Sequence, residues 1–188
     1  MSLEVYWGSG STPAWRVLLA LTLKELPYTS HLLSFSKRET RTPAFLALNP
    51  RGQVPVLVHD GFVLNESLAI LAYLDRAFPE RPLFGTTARE HGETWRLVEE
   101  LQSYGREVFD PVARPLLFGK ADESADAIRA AVPALVAELD LLEKRVAGGA
   151  MVGGNLGAAD IVWFCAVSGL VRALTRPAAA PLGLGLYP

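Results

Sequence analysis

A proline stands inside a stretch that otherwise reads as a strand. Arg51 to Val58 runs Arg-Gly-Gln-Val-Pro-Val-Leu-Val, and Val54, Val56, Leu57 and Val58 carry the β-branched and apolar bulk of a short buried strand. Pro55 has no N–H to donate to a ladder, so proline normally breaks a strand or marks an edge, a strand start or a bulge. On these residues alone, a bulge on an edge strand accounts for it.

The flanking sequence alternates strand-like and helix-like segments. Leu3 to Trp7 is a short apolar strand. Thr12-Pro13 looks like a helix start, a capping hydroxyl followed by proline at the first helical position, and Trp15 to Leu26 continues as a Leu- and Ala-rich helix. Tyr28 to Phe35 can form a second strand. Thr42-Pro43 repeats the start signal for a short helix ending near Asn49-Pro50. Val54 to Val58 and Phe62 to Leu64 flank His59-Asp60-Gly61, and Asp-Gly is a strong hairpin signal. A helix follows from Ser67 to about Phe78. The order is βαβ, then α, then ββα.

Pro79 to Gly85, with two prolines among "PERPLFG", reads as a linker. Only helices are expected beyond it. Thr87 and Glu90 fit a capping box. Ile128, Val132, Leu135, Leu139, Leu142 and Val146 recur at spacings of three and four, one apolar helical stripe. Pro133 falls inside it, so that helix either kinks or starts there. Gly153-Gly154 breaks the chain, Ala158 to Leu174 forms an apolar central helix, and Pro177 to Pro188 carries no clear pattern. The expected division is residues 1–79, a linker over 80–86, and a helical domain over 87–188.

Composition narrows the function classes. Half of the 188 residues are hydrophobic and 20% are charged, a globular balance. A net charge of −2 gives no reason to expect nucleic acid or an anionic membrane as partner. One cysteine, Cys165, excludes an intrachain disulfide and suits a reducing compartment. Met1 to Trp7 lacks the basic start of a secretion signal, so a cytoplasmic location is expected. Ile161 to Val171 is too short to span a bilayer. His31, His59 and His91 are scattered, so no metal is expected.

A βαβ–α–ββα unit with a proline opening its third strand, linked to an all-helical domain, resembles the cytosolic glutathione transferases. Four motifs carry the likeness: "SGSTPAWRV", "NPRGQVPVL", "NESLAILAYL" and "GGNLGAADI". The resemblance implies an α/β thioredoxin-like N-terminal domain with a mixed sheet, a cis peptide bond before Pro55, and an all-α C-terminal domain. It implies that Val54 pairs its backbone with glutathione as though the tripeptide were another strand. Glu66 would take the ammonium and Ser67 the carboxylate of the γ-glutamyl head, at a helix N-terminus suited to anions; an ordinary capping pair is the plainer account of the same two residues. Gln53 is a weaker candidate for either end of the tripeptide. Lys37, Arg38 and Arg41 form a basic cluster from which one cation would reach the glycyl carboxylate, or which is simply a solvated loop.

The resemblance also requires a thiolate stabiliser. In similar serine-type enzymes a hydroxyl stands six residues before the helix valine that is Val17 here, which is Ser11. Thr12 is the second candidate and Tyr6, at the end of the first strand, the third. The string looks like zeta and theta/delta types, but Ser11-Thr12-Pro13 replaces the Ser-Ser-Cys usual in zeta-type maleylacetoacetate isomerases. With no cysteine near Ser11, thiol–disulfide exchange is disfavoured; Cys165 reads as a small core residue. Asp160 is expected to support folding by bonding back to the Gly157 N–H, and Arg16 to make structural ion pairs. Trp7, Tyr104, Phe109, Arg114 and Trp163 are candidates to line the site of a hydrophobic electrophile, each also suited to a core. The expected activity is conjugation of glutathione to such an electrophile, or its reduction, by a homodimer; the alternatives are a non-catalytic transferase-like assembly domain and a zeta-type isomerase. Relatives usually continue into a further helix beyond the final Leu-Tyr-Pro, so the second domain is expected without its last helix.

Overall fold

The structure is a computed structural model that describes residues 2–186. The chain divides into two compact units, Met1–Thr86 and Thr87–Pro188.

In the first unit the strands are β1 (Leu3–Gly8), β2 (Thr29–Leu33), β3 (Val56–His59) and β4 (Phe62–Asn65), and the helices α1 (Thr12–Leu23), α2 (Pro43–Leu48) and α3 (Ser67–Ala77). The sheet order is β2-β1-β3-β4. β1 and β2 are parallel, as a strand pair joined through a crossover helix is, and β1–β3 and β3–β4 are antiparallel. Asp60 and Gly61 both have positive φ, 47° and 84°, the two-residue turn that matches strand twist and that the Asp-Gly pair favours. The core gathers Val5, Val17, Ala20, Leu21, Val56, Leu57, Ile70, Leu71 and Leu74, all fully buried, and α1 packs on α3. Phe45 of α2 is buried on the face that carries Tyr6, whose ring lies 6.1 Å from it.

The α1 start differs from the sequence expectation by one residue. Ser11, extended at φ −83° and ψ 106°, is the cap and accepts from the Ala14 N–H at 3.3 Å; Thr12 is the first helical residue and Pro13 follows it. Thr42 caps α2 as expected, accepting from the Phe45 N–H. The segment read as a linker is tied to the first unit. Lys24 Nζ donates to the carbonyls of Glu80 and Arg81, and Asp75 accepts from the Leu83 N–H. Burial lowers the Lys24 pKa, because a desolvated ammonium favours its neutral form.

The second unit contains α4 (Ala88–Glu100), α5 (Arg106–Leu117), α6 (Ala125–Val146) and α7 (Ala158–Leu174). A π-helical turn over Leu101–Gly105 joins α4 to α5. Thr87 and Glu90 close the expected capping box in both directions. α7 packs against α4 and α5, and α6 against α5. α6 begins eight residues before Pro133 and runs through it, so the proline does not start that helix. Of its expected stripe, Ile128, Leu135 and Leu142 are buried, while Val146 is 41% exposed. Asp160 accepts from the Gly157 N–H at 2.9 Å and the Met151 N–H at 3.0 Å, satisfying an orphan donor at the α7 start and holding the preceding loop. A short 3-10 segment occupies Pro177–Leu182; Tyr187 and Pro188, from the final Leu-Tyr-Pro, lie outside the described residues.

Two substitutions test this architecture. Asp160→Ala removes acceptors from two backbone donors and is expected to cost about 1–2 kcal/mol, seen as a melting temperature about 2–8 °C lower; an unchanged melt would show that the two N–H groups do not depend on the carboxylate. Gly52 has φ 61° and an added Cβ would stand 2.8 Å from the Thr40 carbonyl oxygen, whereas Gly61 has φ 84° and open space around it. In urea unfolding, Gly52→Ala is therefore expected to cost about 1–3 kcal/mol more than Gly61→Ala; equal costs would contradict that packing.

Candidate functional site

The pairing register brings separate sequence motifs to one end of the sheet. Tyr6 pairs with Val56 across β1–β3, and Val56 pairs with Asn65 across β3–β4. One step beyond these paired residues lie Trp7, Pro55 and Glu66; two steps beyond lie Gly8, Val54 and Ser67. The Ser11 N–H then donates to the Gly8 carbonyl at 3.1 Å, folding the start of α1 back onto that edge. The motifs around Ser11, Pro55 and Glu66, far apart in the sequence, thus meet within a few strand positions.

The Val54–Pro55 peptide bond is cis. The loop before it is held by Asn49, which is buried. Its side-chain amide donates to the Gln53 carbonyl at 2.7 Å, its Oδ1 accepts from the Arg51 N–H at 3.1 Å, and its carbonyl accepts from the Gly52 N–H at 2.8 Å. Sequence reading missed this role, although an asparagine ahead of Pro and Gly is a signal for side-chain-to-backbone turn chemistry. The Gln53 side chain is exposed. Of the three cations considered, Arg41 is the one bound to this loop, donating to the Arg51 carbonyl at 3.0 Å and lying over Gly52. Lys37 is exposed, and Arg38, also exposed, has φ 55° and leads into a 3-10 turn.

Ser11 and Thr12 are half-buried. Ser11 uses a lone pair to accept from Ala14, which leaves its hydroxyl proton for a further acceptor. Such a proton at a helix N-terminus stands at the positive end of the dipole, a setting that favours an anion. Tyr6 stacks on His31 at 4.3 Å, and His31 bonds Glu4 at 2.8 Å. Burial first, and then the Glu4 carboxylate, push the Tyr6 phenol above its ordinary pKa, so it stays protonated. The Trp7 indole donates to Ser30 Oγ on β2 at 2.8 Å.

At the other side of the edge, Glu66 is exposed and stands at φ 67°, ψ 112°. Such backbone costs a non-glycine residue of order 1–3 kcal/mol, and such residues cluster at functional sites. Ser67 opens α3 and is buried; its Oγ accepts from Arg16 Nη1 at 3.4 Å, and Arg16 itself is 7% exposed. Sequence reading assigned Arg16 to structural ion pairs and did not anticipate this contact, because the two residues are 51 apart in sequence. The edge therefore combines two helix N-termini, two seryl hydroxyls and a buried guanidinium with one outward carboxylate. Chemically, such an arrangement can accept anionic groups and one cation. Among the described residues no group of three or more His, Cys, Asp or Glu could hold a metal ion.

The other candidates belong to the second unit. Trp163 is 1% exposed, with its indole N–H donating to the Leu97 carbonyl at 2.9 Å, and Phe109 is 5% exposed with its ring 6.4 Å from Trp163. Both serve that unit's core, which corrects their assignment to a ligand-lining surface: a fully enclosed ring has no free face. Tyr104, in the π-helical turn, is 67% exposed, and Arg114 is exposed and lies over the Phe118 ring. Cys165 is buried. No helix among the described residues is long and apolar enough to cross a membrane.

Comparison with known proteins bears on the family and the fold. Residues 10–77 match the family model for the glutathione S-transferase N-terminal domain. Glutathione S-transferase A of Pleuronectes platessa is 31% identical over 176 residues, covering 90% of this chain and 78% of the relative. A maleylacetoacetate isomerase of Pseudomonas aeruginosa is 40% identical over 97 residues, 48% of this chain and 46% of that protein. The crystal structure of a glutathione S-transferase from the Antarctic clam Laternula elliptica superposes with a TM-score of 0.76 at 29% identity, covering 98% of this chain and 84% of that one. Its thioredoxin-like first unit, its helical second unit and this likeness along most of its length make the chain a member of the glutathione S-transferase family.

Proposed function

We propose that the first unit binds glutathione at this sheet end and activates its thiol for transfer to a hydrophobic electrophile. One observation supports the reading: the pairing of Tyr6 with Val56 and of Val56 with Asn65 brings the segments that carry Ser11, Val54 and the Glu66–Ser67 pair to one end of the sheet. The cysteinyl segment pairs with the Val54 backbone, extending the sheet by one strand. The γ-glutamyl carboxylate sits on Ser67 and the α3 N-terminus, its ammonium on Glu66, and Arg41 or a neighbouring cation takes the glycyl end with Gln53 beside it. The sulfur then faces Ser11.

A free thiol has a pKa near 8.5 and reacts as the thiolate. Lowering that value by about two units corresponds to ~2.7 kcal/mol of preference for the charged form, within reach of one hydroxyl donor acting with a helix N-terminus. The Ser11 proton, left over from its capping bond, supplies that donor. Thr12 stands second and Tyr6 third. The thiolate attacks the electrophilic carbon, a C–S bond forms, and the leaving group departs with the electron pair. The family's two-fold dimer and a cytoplasmic setting go with this reading.

A second reading is a glutathione-dependent isomerisation, favoured by the likeness over 97 residues to the Pseudomonas aeruginosa maleylacetoacetate isomerase. Pro13 in place of a cysteine weighs against it.

Calorimetry with glutathione, combined with titration of the bound thiolate's ultraviolet absorbance, tests the assignment. Wild-type protein is expected to bind glutathione. Ser11→Ala is expected to keep that binding, raise the bound thiol pKa by about 1–2 units, and lower kcat/KM toward an aryl halide by about 10- to 100-fold. Thr12→Val is expected to change the thiol pKa less; a larger effect from Thr12→Val would move the role to Thr12. Absence of glutathione binding by the wild type would overturn the reading and favour a non-catalytic domain.

A further inference from the structure

We infer that Arg16 is a positioning residue for recognition of the ligand's amino-acid head, acting through Ser67. The inference rests on the glutathione reading above and deepens it. Arg16 lies one turn into α1, on a different helix from the head-group pair, and is only 7% exposed. Burying a guanidinium is costly unless the charge is satisfied, and one of the contacts that Arg16 makes reaches the head-group pair. Its Nη1 donates to Ser67 Oγ at 3.4 Å. This has two consequences.

The first is orientation. Arg16 occupies a lone pair of the Ser67 hydroxyl. A hydroxyl has a single proton, and with an acceptor site engaged by Arg16 that proton is turned toward whatever lies on the other side. At the first residue of α3 the other side is the helix N-terminus, where the free backbone N–H groups also point. Arg16 thus biases Ser67 toward donating at that site, which favours a carboxylate over an ammonium. The second is charge. A carboxylate accepting from Ser67 Oγ at an ordinary hydrogen-bond length lies no more than about 6 Å from the cation, across a buried medium in which screening is weak. Glu66, exposed at the same corner, is then left for the ammonium. The arrangement reads the polarity of a zwitterion: carboxylate inward toward Arg16, ammonium outward toward Glu66.

The probes are glutathione and its analogue lacking the γ-glutamyl carboxylate, γ-aminobutyryl-cysteinyl-glycine, titrated by calorimetry into the full-length wild type, Arg16→Lys, Arg16→Gln, Ser67→Ala and the Arg16→Lys/Ser67→Ala double variant. Wild type is expected to favour glutathione over the analogue by about 100-fold, the scale of a charged contact with a buried partner. Arg16→Gln is expected to cut that preference to about tenfold or less while changing analogue affinity less than about twofold. Arg16→Lys, which keeps the charge if the neutral variant does not fold, is expected to fall between the two. In kinetics the KM for glutathione rises and kcat at saturation stays within about twofold. In the Ser67→Ala background, Arg16→Lys adds little further loss, since its partner is gone. Variants that lose both ligands equally, or that keep the wild-type preference, overturn the role of Arg16 while leaving glutathione binding by the wild type intact. A wild type that binds neither ligand overturns the glutathione reading and this inference with it.

Discussion

The hydrogen-bonded register of β1, β3 and β4 is the constraint on which the rest depends. A strand repeats its side-chain direction every two residues, so a slip of one position would exchange the residues of its two faces. Val5, Val56 and Leu57 are fully buried, and that burial locks β3 against β1. The tight Asp60-Gly61 turn locks β4 against β3. Once both are locked, the residues just past the ladder have no freedom in where they emerge. Val54 and the Glu66–Ser67 pair come out beside the start of α1 because the core and the hairpin leave no other arrangement.

Around that edge the polar groups are arranged by sign. Helix N-termini, hydroxyl protons and the Arg16 guanidinium present positive potential, and Glu66 supplies one negative group outside it. Structural bonding leaves atoms over: Ser11 closes α1 with a lone pair and keeps its proton, and Ser67 opens α3 while one of its lone pairs is taken by Arg16. The reason is physical. A hydroxyl has two acceptor sites and one proton, so a residue that satisfies a neighbour by accepting still has a donor for a ligand. The loop carrying Val54 is stiffened in a similar way, by Asn49 and Arg41 bonding its carbonyl groups.

Much of this was legible in the residues. The alternation of strand and helix signals in the first eighty positions, the Asp-Gly hairpin, the Thr42 cap and the Thr87–Glu90 capping box all come from local chemistry, and all appear in the structure. The bond from Asp160 to Gly157 was readable because a carboxylate three residues into a helix reaches the first donors whatever surrounds it. Local rules were less decisive where two neighbours could do one job. Thr12-Pro13 has the form of a cap, yet Ser11 takes it, since the chain is still extended there. Pro133 signals a kink or a start, and α6 begins eight residues before it and passes through it, with Ile128 and Leu135 buried on either side.

The sequence by itself determined the element order of the first unit and the passage from a mixed α/β part to a helical part, and it supplied the hydroxyls, carboxylates and cations considered for the candidate site. These follow from periodicity, turn residues and caps, which act over a few positions, and from the family likeness that those motifs carry. Only the tertiary structure decided that Arg16 rests on Ser67, that Arg41 among three basic residues holds the loop before Pro55, and that Phe109 and Trp163 belong to the second unit's core. Each of those is a contact or a burial fixed by how helices, strands and loops pack on one another; no local pattern carries that information.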